Sequence, residues 1–211
     1  MELFDGQGRS ATGTIAQVRR GDVTVAVEQV LPAEPRRGPT VHLAMAVPKG
    51  KRLDWLLEKA TELGAASLRP VVFQRSVAGG EDLGPGKRRR WLGHCIAAAK
   101  QCGLNYLPRI LDPLALTAYL AHASGVGRAG VPTLRILGDI GPDAVGLVDV
   151  VAKGPSGAEI NVLVGPEGGL TGEERTAVVE AGFVPVRLGW TTLRIETAAI
   201  ALLAAITAIR G

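Results

Sequence analysis

Two glycine-bearing loops near the end of the chain carry the residues best suited to chemistry. The first is Gly165-Pro166-Glu167-Gly168-Gly169. Three glycines and a proline in five residues do not extend a strand; they form a tight loop that turns backbone amides toward a ligand. Gly168 is expected at positive φ, with its backbone close to whatever binds there. The second loop runs from Leu188-Gly189 to Leu193 and is followed by Arg194 and Glu196. Arg194 and Glu196 break the apolar pattern at the start of the last helix. A dinucleotide fingerprint is disfavoured, because it belongs after the first strand with an acidic residue roughly 20 positions on. A P-loop fails for want of Gly-Lys-Ser/Thr.

The elements that position these loops are strands and helices in alternation. Val162-Leu163-Val164 reads as a buried parallel strand feeding the first loop. Thr171 followed by Glu174 is a capping-box start for a helix from Gly172 to Ala181, with Gly182 closing it. Phe183 to Leu188 is the next strand, and Arg194 to Arg210 the last helix. Upstream, strands are expected at Val41 to Val47, Leu68 to Phe73, Leu107 to Leu111 and Thr133 to Leu137, the last ending at Gly138-Asp139. Helices are expected at Leu53 to Leu63, Lys87 to Cys102 and Leu114 to Ala121. Residues 74–86 read as a loop, 124–130 as a glycine-rich turn, and 141–157 as a loop with a helical turn. The alternation argues for a parallel α/β sheet, whose ligands gather at the carboxyl ends of strands. Before it, Leu3-Phe4, Ala11 to Val18 and Val23 to Val30 read as three β-strands. The proline-rich stretch Pro32 to Pro39 is a stiff linker and the expected boundary.

The segments VGPEGGLTGEE and LGWTTLRIETAAIALLAA resemble the RsmE family of 16S ribosomal RNA uridine-N3 methyltransferases, of the SPOUT superfamily. The resemblance extends to VPKGKRLDWLLEKATELG, from Val47 to Gly64, and to the helix ending AAAKQCG at Gly103. It implies an α/β trefoil-knot methyltransferase domain over 40–211, behind a small, apparently truncated PUA-like β-barrel domain over 1–35 that grips RNA. It implies S-adenosyl-L-methionine as cofactor, held by Leu137, Gly138, Gly165, Glu167, Gly168, Leu188, Gly189 and Leu193. Arg194 and Glu196 become the expected catalytic pair, 16S ribosomal RNA or the small ribosomal subunit the partner, and a homodimer the assembly. The chain departs from the family pattern at Thr191, where an arginine is usual, at Leu104, and in its short N-terminal segment. A ribose 2′-O methyltransferase is the alternative enzyme, but its Asn-x-Gly-x-x-x-Arg and Ser-Leu-Asn motifs are missing. A knotted RNA-binding protein without catalysis is the other.

Composition sets the remaining bounds. The 211 residues carry a net charge of +4, which suits a polyanionic partner. Lys49, Lys51 and Arg52 follow a strand end, and Arg75 lies in the next loop. Arg88 and Arg89 belong to the run Lys87-Arg88-Arg89-Arg90 that opens a helix. Cations there oppose the helix dipole by about 0.3–1 kcal/mol each, so local stability does not explain them and phosphate contacts would. These six are the expected RNA contacts. Cys95 and Cys102 share one helix without disulfide geometry and read as reduced thiols of a cytoplasmic protein. Metal ligands are not clustered. His42, His94 and His122 are scattered without acidic partners nearby in sequence. The longest apolar stretch, Thr197 to Ile209, is too short to span a bilayer, and no signal peptide opens the chain. The last helix is apolar nearly all round, so one side needs the sheet and the other a partner.

Overall fold

The computed structural model describes residues 1–77, 83–123 and 130–211. The turn expected over 124–130 lies outside them except for Gly130, as do positions 78–82 of the expected loop. Strands β1 (Glu2–Phe4), β2 (Ser10–Arg19) and β3 (Asp22–Leu31) form an antiparallel sheet in the order β1-β2-β3. Much of it stands in solvent, including Ile15, Val18, Val23, Val27 and Val30. Its base is fastened to the rest of the molecule. Gly8 N–H donates to the Asn105 carbonyl and Leu107 N–H to the Gly6 carbonyl, both at 2.9 Å. Gly8, at φ +100°, lies against the Tyr106 ring, where a Cβ would come within 2.3 Å of the phenol oxygen. Only glycine permits that approach.

The remaining chain builds an eight-stranded parallel sheet. Its elements are β4 (Val41–Met45), α1 (Lys51–Glu62), β5 (Ser67–Val72), α2 (Pro85–Cys102), β6 (Arg109–Ile110), β7 (Leu114–Ala115) and α3 (Leu116–Ala123). They continue with β8 (Thr133–Gly138), β9 (Val145–Gly146), α4 (Leu147–Lys153), β10 (Glu159–Val164), α5 (Gly172–Glu180), β11 (Val184–Arg187) and α6 (Ile195–Arg210). The strand order is β6-β5-β4-β10-β8-β11-β9, with β7 beside β5. β10 holds the centre because Ile160 to Val164 is buried throughout, as a strand covered on both faces must be. α1 covers the sheet with the stripe Leu53, Leu56, Leu57 and Ala60.

The chain doubles back at its end. β11 pairs with the far side of β8, yet α6 returns to pack on β10, β8 and β4, as the expected knot calls for. Three expectations change. Residues 141–157 extend the expected helical turn to the seven-residue α4 and add β9, because Leu147 and Val151 are buried a turn apart. The expected helix at Leu114 gives its first two residues to β7. The last helix does not leave one apolar side bare: α1 and α4 flank it within the same chain, and none of its large apolar residues is exposed. Its all-round apolar character reflects burial on several sides of one subunit.

Candidate active site

The capping box forms as its sequence implies. Thr171 accepts from Glu174 N–H at 3.2 Å, and the Glu174 carboxylate accepts from Thr171 N–H at 2.9 Å. Glu174 also accepts from Gln74 N–H at 2.7 Å, tying the loop after β5 to the start of α5. The preceding turn closes by Gly169 N–H to the Pro166 carbonyl at 2.9 Å. Positive φ falls on Gly169, at 69°, and not on Gly168 as expected. The turn takes its left-handed residue after its central pair, and Gly168 is instead where Arg75 approaches. Arg75 Nη1 donates to the Gly168 carbonyl at 2.8 Å.

A cleft of about 400 Å³ lies at the carboxyl ends of β8, β10 and β11. All eight residues expected to hold the cofactor line it: Leu137, Gly138, Gly165, Glu167, Gly168, Leu188, Gly189 and Leu193. Ile195, Ala198 and Leu202 of α6 complete its floor. Sequence reading missed these three because it assigned α6 to an interface. Close packing sets where an added side chain would have to move its neighbours. A Cβ on Gly165 would sit 2.3 Å from Leu170 Cδ1, and one on Gly138 3.1 Å from Leu202 Cδ1. The wall is therefore backbone and small residues over an apolar floor, with a volume in the range of small-molecule sites. Such a cleft fits an S-adenosylmethionine-sized ligand.

Arg175 holds the rim. Its Nε donates to Asp139 at 2.7 Å and its Nη2 to Asp143 at 2.5 Å. The bonds to Asp139 and then Asp143 raise the guanidinium above its ordinary basicity, and the same contact lowers the Asp143 carboxyl. Nothing in the linear order pairs Arg175 with residues 32 and 36 positions earlier.

A second cleft, of about 640 Å³, adjoins the first and shares Thr192 and Leu193 with it. Lys51, Arg52, Trp55, Arg194, Glu196 and Thr197 complete its lining. Arg194 is exposed at the N-cap of α6. Glu196 is only 5% exposed. Its Oε1 lies 3.9 Å from Arg52 Nη1, while its buried Oε2 has no hydrogen-bond partner. Arg52 also reaches Glu167 at 3.2 Å, so one guanidinium joins the glycine loop to the start of α6.

The six expected RNA cations therefore divide. Lys49, Lys51 and Arg89 are exposed. Arg52 and Arg75 hold the cofactor loop, as above. Arg88 donates to the Ile110 carbonyl at 2.5 Å and pairs with Asp112, and Arg90 pairs with Asp54 at 2.6 Å. The basic start of α2 thus has an internal explanation that its helix dipole alone did not supply: these side chains clamp α2 to its neighbours. The histidines also have acidic neighbours that sequence distance hid. His94 lies 3.1 Å from Glu58 and 3.4 Å from Asp54, and His42 3.6 Å from Glu159. Cys95 is buried, which raises its thiol pKa and leaves it inert, while Cys102 is exposed.

The glycine-walled cleft lies on the doubled-back parallel sheet of an RNA methyltransferase domain. An RNA methyltransferase domain model matches residues 36–207. Ribosomal RNA small subunit methyltransferase E of Mycobacterium tuberculosis is 32% identical over 205 residues, 97% of this chain and 76% of that protein. The Bacillus subtilis protein of the same name is 33% identical over 170 residues, 79% of this chain and 65% of its own length. The crystal structure of the Neisseria gonorrhoeae protein of that name, bound to S-adenosyl methionine, has a TM-score of 0.82 at 30% identity. It covers 99% of this chain and 82% of that one. The chain belongs to the ribosomal RNA small subunit methyltransferase E family. Among the described residues, no helix is long and apolar enough to cross a membrane.

Proposed function

We propose that this chain methylates N3 of a uridine in 16S ribosomal RNA, using S-adenosyl-L-methionine. The observation that carries the reading is the pair of adjoining clefts, one glycine-walled and one polar, meeting at Thr192 and Leu193. When bound, the cofactor supplies an electrophilic methyl on a sulfonium. The chain's own residues do the rest. Gly138, Gly165, Gly168 and Gly189 leave room and present backbone polar groups, and Leu137, Leu188 and Leu193 supply apolar wall. Uridine N3 must lose its proton before its electron pair can form the new N–C bond. Arg194 would stabilise the resulting uridinate, and the unpaired Oε2 of Glu196 would accept the proton and pass it to solvent. Holding the base against the shared wall aligns the reacting atoms, an effect worth about 7–11 kcal/mol. Lys49, Lys51 and Arg89 are free to meet phosphates. Arg52, Arg75 and Arg88 act through the loops and helices they already hold.

The same reading makes residues 1–35 a PUA-like RNA-binding module, 40–211 the methyltransferase domain, and the cytoplasm the place of action. It also makes the protein a homodimer. Ile140, Val145, Val148, Leu188 and Trp190 are exposed, Trp190 at 96%, and four of them lie on or beside the β9–β11 edge or the loop after it. A second copy would cover them. Light scattering at micromolar concentration should give twice the chain mass; a monomer would remove the dimer. For the activity, purified protein, S-adenosylmethionine and 16S RNA should yield methyluridine with the methyl on N3 by mass spectrometry of the digested RNA. A methyl on ribose would replace this reading with the 2′-O alternative, and no product under cofactor-binding conditions would leave an RNA-binding protein.

A further inference from the structure

A third cavity, of about 990 Å³, lies away from both clefts. It is lined from the linker by Arg36, from β4 and β5 by His42, Ser67 and Arg69, from β6 by Arg109, and from β10 by Asn161. Parallel strands covered on both faces are normally apolar. Here one row across four strands is polar: Asn161 stands opposite His42, His42 opposite Ser67, and Ser67 opposite Arg109. Part of the row satisfies itself, since His42 Nδ1 lies 2.8 Å from Ser67 Oγ. Asn161 does not. It is 6% exposed and lines the cavity, and its side chain has no hydrogen bond among the described residues. Its amide opens onto the cavity, where a ligand can take up both its donor and its acceptor.

The surrounding charge says what kind of ligand. Three guanidiniums face one lining carboxylate, that of Glu159. Arg36 spends one N–H on the Gly64 carbonyl and Arg69 one on the Asp112 carbonyl, at 2.7 and 2.8 Å. Each keeps further donors. Arg109 makes no side-chain hydrogen bond or ion pair among the described residues. Burial first, and the charge of Arg109 with it, lowers the basicity of both Arg36 and Arg69. Such a cluster lacks an anion.

We propose that this cavity binds a phosphate group through Arg69, Arg109 and the Asn161 amide. Its centre is separate from methyl transfer: Asn161 precedes the Gly165 loop by four residues, about 13 Å along β10. That the phosphate belongs to the RNA backbone rests on the methyltransferase reading; a free phosphate ester does not depend on it.

The test is titration of the full chain with inorganic phosphate, watching the Asn161 side-chain amide by NMR, and then with a 16S-derived RNA fragment. Phosphate should shift that amide saturably, and Arg69→Gln with Arg109→Gln should abolish the shift while leaving S-adenosylmethionine affinity unchanged. Asn161→Leu serves if the double variant misfolds, with loss of phosphate binding measured calorimetrically. RNA affinity should fall about tenfold in either variant, the size expected for a lost backbone contact. Unchanged RNA affinity with phosphate binding lost would keep the site and assign it to a free phosphate ester. No saturable response of the wild-type amide to phosphate or RNA would overturn the proposal. If phosphate titrates but no RNA is bound or methylated, the methyltransferase reading fails and this site stands.

Discussion

Around the carboxyl ends of β8, β10 and β11 the wall is main chain: Gly138, Gly165, Gly168 and Gly189, with Leu137 and Leu202 beneath. Around the third cavity it is side chain: Arg36, Arg69, Arg109, His42 and Asn161. The contrast has a physical basis. Backbone amides are fixed by the fold and cost no rotamer entropy, so they hold one ligand shape closely. Guanidiniums on long stems lose entropy when they bind, but they follow a charge that arrives in several poses. The first region should fail when atoms are added and the second when they are removed.

The largest effect should come from adding atoms to the main-chain wall. Gly165→Val should weaken S-adenosylmethionine binding more than about 100-fold by calorimetry, because its side chain would enter the cleft that Gly165 and Leu170 line and displace Leu170, whose Cδ1 lies 2.3 Å from the Cβ position. Gly168→Val should cost less, about tenfold, since its nearest neighbour is Arg75 Cβ at 3.3 Å and its φ is not positive. Equal losses at both positions would break the packing argument. Next comes Arg194→Ala, which tests whether catalysis is separable from the cleft. Single-turnover methyl transfer should fall about 10²-fold with cofactor affinity kept. Loss of cofactor binding in that variant would move Arg194 into the glycine-walled cleft.

A smaller effect is expected where the loop is set rather than lined. Thr171→Ala removes the capping box and should cost about 1 kcal/mol in urea unfolding, with the denaturant slope unchanged. The smallest belongs to the side-chain region. Burial lowers the His42 pKa below its ordinary 6.5, despite the Glu159 carboxylate 3.6 Å away. The unfolded chain then takes up a proton at higher pH than the folded one. Stability contributed by neutral His42 is full above about 6.5 and is lost as pH falls toward the folded value. His42→Gln should flatten that acid-side loss. An unchanged slope of unfolding free energy against pH between 6.5 and 5 would show that His42 is not a titrating element of the cavity.

The sequence made some of this legible for clear reasons. The glycine loop and the capping box follow from local signals, turn residues and a three-residue cap spacing, whereas the eight cleft residues came with the family resemblance that those segments carry. The strands at Val41 and Val162 follow from apolar runs. The parts that stayed hidden depend on contacts between distant positions. Arg52 meets Glu167 across 115 residues and Arg75 meets Gly168 across 93, so both read as free cations in the linear chain. The polar row in the sheet is invisible until register places Asn161, His42, Ser67 and Arg109 side by side. β9 and α4 were obscured by flanking glycines and prolines that suggest a loop, while Leu147 and Val151 supply the burial that makes a helix.

The return of α6 across the sheet also sets an order in time. On the ribosome the chain emerges from its N-terminus, and the β4–β10 strands can pair before residues 195–210 exist outside the tunnel. Until then Leu202, Leu203 and Ile206 are missing from the interior, and Ile195, Ala198 and Leu202 from the cleft floor. A nascent chain lacking α6 would have its glycine loops but no place to seat a ligand. Ligand binding, assayed on stalled chains of increasing length, should switch on in one step as α6 clears the exit. The chain would then remain silent toward its cofactor until α6 has been made.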